Sequence, residues 1–134
     1  MMLGSIRAWV VHGADGIDEI STTGYTKVSE CRDGSVNTFY LHPADVGLTK
    51  SGCEALRGGE AADNAAIARS ILAGTPGPQR DIVLLNAGAS LLIAGQAATI
   101  PEGIAMAAEA IDSGAAAKVL QTLIATSQDG AKAP

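Results

Sequence analysis

Apolar positions along this chain fall first into a short unbroken run, then into β-branched and aromatic stretches, and from residue 60 onward into helical spacing. Ala8, Trp9, Val10 and Val11 form the unbroken run, the pattern of a central strand covered on both faces. Tyr25–Cys31 and Ser35–Leu41 are rich in Thr, Val, Tyr and Phe and flank Arg32-Asp33-Gly34, a strong turn signal; they predict a β-hairpin. His42-Pro43 ends the hairpin, and Ala44–Gly59 reads as an ordered loop, because it carries turn residues with little periodicity. Four helical segments follow. Ala61–Ala73 gathers Ile67, Ala68, Ile71 and Leu72 on one face and stops at Gly74. Asp81–Ala94 begins with Ile82-Val83-Leu84-Leu85, which alone would suit a buried strand. The spacing of Ile82, Leu85, Ala89, Leu92 and Ile93 extends over three turns and decides for a helix, with Gly95 as its stop. Thr99-Ile100-Pro101-Glu102 fits a capping box, with Thr99 as the cap and Glu102 returning to its amide. The helix behind it runs to about Asp112 with Ile104, Ala108 and Ile111 inward. Ala115–Ala125 resumes after Ser113-Gly114, with Val119, Leu120, Leu123 and Ile124 inward. The expected organisation is a single α/β domain over residues 1–126, followed by a flexible polar tail over 127–134.

Composition sharpens this picture without changing it. At 134 residues the chain supports one domain with its own core, and with 47% apolar residues but only 3% aromatics that core relies on small residues between helices. The formal charge of −5 argues against a nucleic-acid or anionic-membrane partner. A phosphorylated ligand stays open if a divalent cation lies between it and the protein. Cys31 and Cys53 stand apart with no C-x-x-C and no nearby histidine pair, so they read as reduced thiols and not as zinc ligands. The apolar run near the start is too short for a signal peptide, and no stretch reaches the roughly 18 apolar residues of a membrane span. A cytoplasmic protein is expected.

The candidate chemistry sits where the first strand ends. Gly13 and Gly16 free the backbone to re-aim Asp15, Asp18 and Glu19 beyond the strand's carboxyl end, where open α/β sheets place ligands. Asp18 and Glu19 are oxygen donors of the kind that hold Mg²⁺ together with water and substrate phosphates. They are neighbours, so they converge on one ion only if the Gly16-Ile17 segment bends; the plainer reading makes all three acids solvated turn formers. His12 is placed to act as a base or to be a structural histidine. Leu56-Arg57-Gly58-Gly59 offers amides and a guanidinium to a phosphate, or caps the following helix. Asn64 and Asn86 are expected to tie backbone together. Gly47 and Gly52 have the spacing of a P-loop, but Cys53 and Glu54 stand where Lys and Ser or Thr are needed. No G-x-G-x-x-G follows a strand, and no G-x-S-x-G elbow occurs.

Four blocks, V-V-H-G-A-D-G-I-D-E-I-S, L-R-G-G-E-A-A-D-N-A-A-I-A, G-P-Q-R-D-I-V-L-L-N-A-G-A-S-L-L-I-A-G and E-G-I-A-M-A-A-E-A-I-D-S-G, occur in this order between about Leu3 and Leu123. In order and spacing they resemble the C-terminal part of the anthranilate phosphoribosyltransferase family. The resemblance implies the C-terminal portion of a nucleoside phosphorylase/phosphoribosyltransferase-type α/β domain: one buried strand and a β-hairpin, then about four helices. It implies a homodimeric glycosyltransferase of tryptophan biosynthesis, which transfers phosphoribosyl from phosphoribosyl pyrophosphate to the amine of anthranilate and releases pyrophosphate. It also implies that Asp18 and Glu19 bind Mg²⁺. In similar full-length enzymes the glycine-rich pyrophosphate loop, the other ligands and the helical dimer domain lie N-terminal to the position of Leu3. The chain is therefore expected to hold one metal-binding corner of a larger site. It would act with an N-terminal half, or else be an inactive fragment whose open sheet edge drives association. No catalytic residue is assigned.

Overall fold

The computed structural model describes residues 4–130. It contains strands β1 (Arg7–Gly13), β2 (Thr26–Arg32) and β3 (Ser35–Leu41), then helices α1 (Ala61–Leu72), α2 (Pro78–Ile93), α3 (Ile100–Asp112) and α4 (Ala115–Gly130). The strands form an antiparallel sheet in the order β1-β2-β3, with Val11 opposite Val28 and Val28 opposite Phe39. The hairpin turns at Asp33-Gly34, both at positive φ (51° and 78°), as the Arg-Asp-Gly signal requires. Between β3 and α1 the chain makes short 3-10 turns at Pro43–Val46 and Cys53–Leu56.

One face of the sheet carries Trp9, Val11, Val28, Phe39 and Leu41, which pack with Ile20 and Val46 against Leu85, Ala89 and Leu92 of α2 and Ile100 of α3. Trp9 and Phe39 meet edge to face, with ring centroids 5.4 Å apart. A polar tie reinforces this layer. Glu30 Oε1 accepts from Trp9 Nε1 at 2.8 Å and from Arg7 Nε at 2.8 Å, while Arg7 Nη1 donates to the Leu92 carbonyl at 2.7 Å. That carbonyl lies in the last turn of α2, where a cation is favoured by the helix dipole.

The other face is open, and here the structure corrects the expectation of a strand buried on both sides. Val10 is 72% exposed. Successive side chains of a strand point to opposite faces, so the unbroken apolar run sends Ala8 and Val10 to a face on which no described helix packs. β1 is also an edge strand among the described residues, and Ile6 beside it is exposed. The opposite edge is β3, where Val36 and Tyr40 are exposed along with Ser35, Asn37 and Thr38.

The helices follow their expected positions with shifted ends. α2 begins at Pro78, ahead of the expected Asp81, because proline at the first helical position has φ already set and no amide to satisfy. It is a helix throughout, and Leu84, not among the expected inward set, enters a second cluster with Ala107 and Ile111. α2 and α3 cross backbone to backbone: a Cβ on Gly88 would lie 2.7 Å from the Ile104 nitrogen, and one on Gly103 would lie 2.8 Å from Gly88 Cα. Thr99 caps α3 by accepting from the Glu102 amide at 3.2 Å; Glu102, however, returns to the amide of Ala98 at 2.8 Å, one residue before the amide expected.

α4 departs most from expectation. Ala116 joins the second cluster, but Val119, Leu123 and Ile124, expected inward, are 68%, 62% and 42% exposed. Leu120, also expected inward and one turn further on, is half-buried, so the departure is confined to Val119, Leu123 and Ile124. It continues to Gly130, so Ser127–Gly130 are helical, and the rest of the expected tail, 131–134, lies outside the described residues.

Candidate functional site

β1 delivers its carboxyl end into the loop 14–24, which is built almost entirely from its own polar groups. The Gly13 amide donates to the Ile17 carbonyl at 3.0 Å and the Gly16 amide to the Gly13 carbonyl at 2.9 Å, closing a tight bend. Gly16 takes φ 89°, the left-handed region that the bend needs. Gly13 is required for room: a Cβ there would lie 2.7 Å from Ile17 Cγ2. The bend demanded between Gly16 and Ile17 is therefore present.

The three acids of this loop separate into different roles. Asp15 faces inward on the loop: Oδ2 accepts from the hydroxyls of Ser21 (2.8 Å) and Thr23, and Oδ1 from the Ile17 amide (3.2 Å). Desolvation pushes its carboxyl up, but the Thr23 and Ser21 hydroxyls and the Ile17 amide outweigh this and hold it below the ordinary aspartate value. With those donors engaged, Asp15 shapes the turn. Asp18 is exposed, and Glu19 is half-buried. Burial, and then the charges of Asp18 and Asp15, push the Glu19 carboxyl above its ordinary value. Two carboxylates that repel each other at a strand's carboxyl end are relieved by a cation. Among the described residues no cluster of three or more His, Cys, Asp and Glu converges into an all-protein metal cage. An oxygen donor pair of this kind fits Mg²⁺, which keeps waters and takes remaining ligands from a phosphorylated substrate.

Glu19 borders a pocket of about 240 Å³ walled by Ile17, Leu56, Ile67, Ile71, Ile82 and Val83. Its opposite lip is Gly58. The next residue, Gly59, donates its amide to Asn64 Oδ1 and accepts from Asn64 Nδ2, both at 2.9 Å. That amide is therefore engaged, and the 57–59 segment serves as the turn into α1; Arg57 pairs at 3.3 Å with Glu54 on the surface. Asn86 treats the other side alike, accepting from the Ile20 amide at 2.9 Å and donating to the Ile20 carbonyl at 2.9 Å. Both asparagines thus bind backbone, as their residue type suggested. The sequence did not single out Ser21, Thr23 or Thr26, although all are buried beneath this loop; a run of hydroxyls next to an acidic loop is the available signal. His12 is exposed on the outer face of the sheet, opposite Lys27 in the β1–β2 register. Cys31 and Cys53 are free thiols in the structure.

The strand opens into an acidic, oxygen-donor loop at its carboxyl end and is backed by helices, which gives an α/β domain. The chain belongs to the glycosyl transferase family, a/b domain, whose model matches residues 1–117. It is 54% identical over 126 residues to the anthranilate phosphoribosyltransferase of Azorhizobium caulinodans, a match spanning 94% of this chain and 37% of that protein. With the enzyme of the same name from Moorella thermoacetica it shares 51% over 123 residues, 92% of this chain and 36% of the relative. The crystal structure of anthranilate phosphoribosyltransferase from Thermus thermophilus superposes with a TM-score of 0.80 at 40% identity, covering 89% of this chain and 35% of that one. The Saccharomyces cerevisiae enzyme in complex with PRPP and Mg gives 0.77 at 28% identity, covering 84% and 33%. The chain thus spans little more than a third of the length of these relatives. No described helix is long and apolar enough to cross a membrane.

Proposed function

We propose that the chain is the C-terminal part of an anthranilate phosphoribosyltransferase, contributing Asp18 and Glu19 as Mg²⁺ ligands to a site completed by an N-terminal half. In this reading the domain covers residues 1–126, the substrates are phosphoribosyl pyrophosphate and anthranilate, and the enzyme works in the cytoplasm as a homodimer once complete. The observation that carries the reading is the Asp18–Glu19 pair, held at the strand's carboxyl end by a bend that uses Asp15, and not the pair itself, for its hydrogen bonds. The relationship to enzymes named for this reaction supports it, as does the yeast relative bound to PRPP and Mg.

The chain's own contribution is electrostatic. Glu19 and Asp18 present negative oxygens where the cation accompanying a pyrophosphate would lie, and the loop fixes them before the substrate arrives, so little reorganisation is needed. Asp18 and Glu19 would hold a Mg²⁺ there, whose charge would offset that building on a departing pyrophosphate. Ile17, Ile82 and Val83 place apolar surface beside Glu19, which is half-buried there.

Calorimetric titration of Mg²⁺ with phosphoribosyl pyrophosphate, with and without an added N-terminal segment from a full-length relative, tests the proposal. Binding and anthranilate-dependent pyrophosphate release that appear with the added segment and vanish in Asp18→Asn are expected. Absence of binding in both cases would leave an inactive fragment. A second reading, an association module, is favoured by the open β1 edge with exposed Val10 and Ile6. A strictly monomeric chain that exposes no apolar surface to a reporter dye would remove it.

A further inference from the structure

An asparagine in the middle of an apolar helix is a poor choice by intrinsic propensity, and Asn86 stands on α2 between the buried Ile82, Leu85 and Ala89. Its side chain is fully used. Oδ1 accepts from the Ile20 amide, and Nδ2 donates to both the Ile20 and the Ile82 carbonyls, all at 2.9 Å. The arrangement fixes which end of the amide is which, because an N–H needs the oxygen and two carbonyls need the nitrogen. Asn86 thus replaces a missing strand: it satisfies donor and acceptor of a single residue, as a neighbouring strand would, from a helix 66 positions away in sequence.

Ile20 directly follows Glu19, and its side chain is 3% exposed in the core beside Leu85. Asp15 bonds the loop to itself through Ile17, Ser21 and Thr23, and Asn86 ties Ile20 to α2, with Asp18 and Glu19 between Ile17 and Ile20. We infer that Asn86 is a positioning residue for cation binding, one that sets the backbone from which the Asp18 and Glu19 carboxylates project. This rests on the proposed role of those two acids. Asn86 touches neither substrate nor ion; it acts through the Ile20 peptide. Groups that orient metal ligands are commonly worth roughly tenfold or more in metal affinity.

The test uses the full chain as wild type, Asn86→Ala and Asn86→Leu. The leucine keeps the approximate size but has neither acceptor nor donor, and it serves if the alanine variant fails to fold. Amide hydrogen exchange of Ile20 is compared with that of Leu85 and Val28, which report opening of the core. In parallel, with the N-terminal segment of a full-length relative added, Mn²⁺ with inorganic pyrophosphate is titrated while the paramagnetic broadening of the Asp18 and Glu19 amide signals is followed. The expected result is Ile20 exchange accelerated about tenfold or more in the variants with Leu85 and Val28 unchanged, and a Mn²⁺ midpoint raised by roughly tenfold. Ile20 exchange that stays at the wild-type rate, or that rises only in step with Leu85 and Val28, overturns the inference. So does a released Ile20 with an unmoved Mn²⁺ midpoint, which leaves the metal reading intact. Absence of broadening in the wild type overturns both, while the exchange data still show whether the asparagine clamp exists.

Discussion

Glu30 ties β2 to β1 and, through Arg7, to the end of α2. One of its oxygens receives the Trp9 indole and the Arg7 guanidinium, and that guanidinium in turn reaches the end of α2. The indole, and next the guanidinium, hold the Glu30 carboxyl below its ordinary value of 4.5. A depressed carboxyl adds stability that is complete above the unfolded value and is lost as pH falls through the folded one. Wild type should therefore lose stability steeply below about pH 4.5, and the difference between it and Glu30→Gln should shrink over that window in denaturant melts. Parallel acid limbs would show that the tie adds nothing. Trp9 fluorescence reports the same event directly. Side chains of this kind were not legible in the sequence, because Arg7, Trp9 and Glu30 meet only once the β1–β2 register is known. The acidic loop was legible, since glycines and carboxylates in close succession restrict what a chain can do. The division of labour within it was not: Asp15 looks like Asp18 until the Ser21 and Thr23 hydroxyls are seen to turn inward upon it.

At the scale of elements, helix periodicity named all four helices and the turn signals named the hairpin, because both are local. What failed was the assignment of faces that need a distant partner. Val119, Leu123 and Ile124 keep helical spacing yet lie on a side of α4 that no described element covers. Conversely, Gly88 and Gly103 look like weak points in their helices, but they are the contact at which α2 and α3 touch. Gly88→Ala gains roughly 1 kcal/mol in helix propensity. It also drives a methyl group into the Ile104 backbone, an overpacking cost of about 1–3 kcal/mol that no rotamer change relieves. Net destabilisation by up to roughly 2 kcal/mol in chemical denaturation is expected. An unchanged midpoint would mean that the helices can separate slightly without loss. Gly103→Ala should act on the same contact, so the double variant should cost less than the sum of the two.

For the whole molecule, the exposed apolar residues of the sheet, Ile6 and Val10 by β1 and Val36 and Tyr40 on β3, and the exposed apolar side of α4 are the features that set behaviour in solution. Val10→Lys places a charge on the open face without touching the core, since Val10 contributes to neither hydrophobic cluster. Sedimentation should show concentration-dependent association in the wild type and weaker association in Val10→Lys, with the same circular dichroism in both. Equal association would move attention to α4. Both edges of the sheet carry exposed apolar residues: β1 offers backbone groups beside Ile6 and Val10, and β3 exposes Val36 and Tyr40 among Ser35, Asn37 and Thr38. Two such edges carry a consequence of symmetry. Copies that meet through β1 do so about a twofold axis, each filling the other's open hydrogen-bonding row, and the β3 strands are left outermost. Such an arrangement closes at two copies only while β3 stays unpaired; pairing through β3 as well would go on adding strands into a fibre.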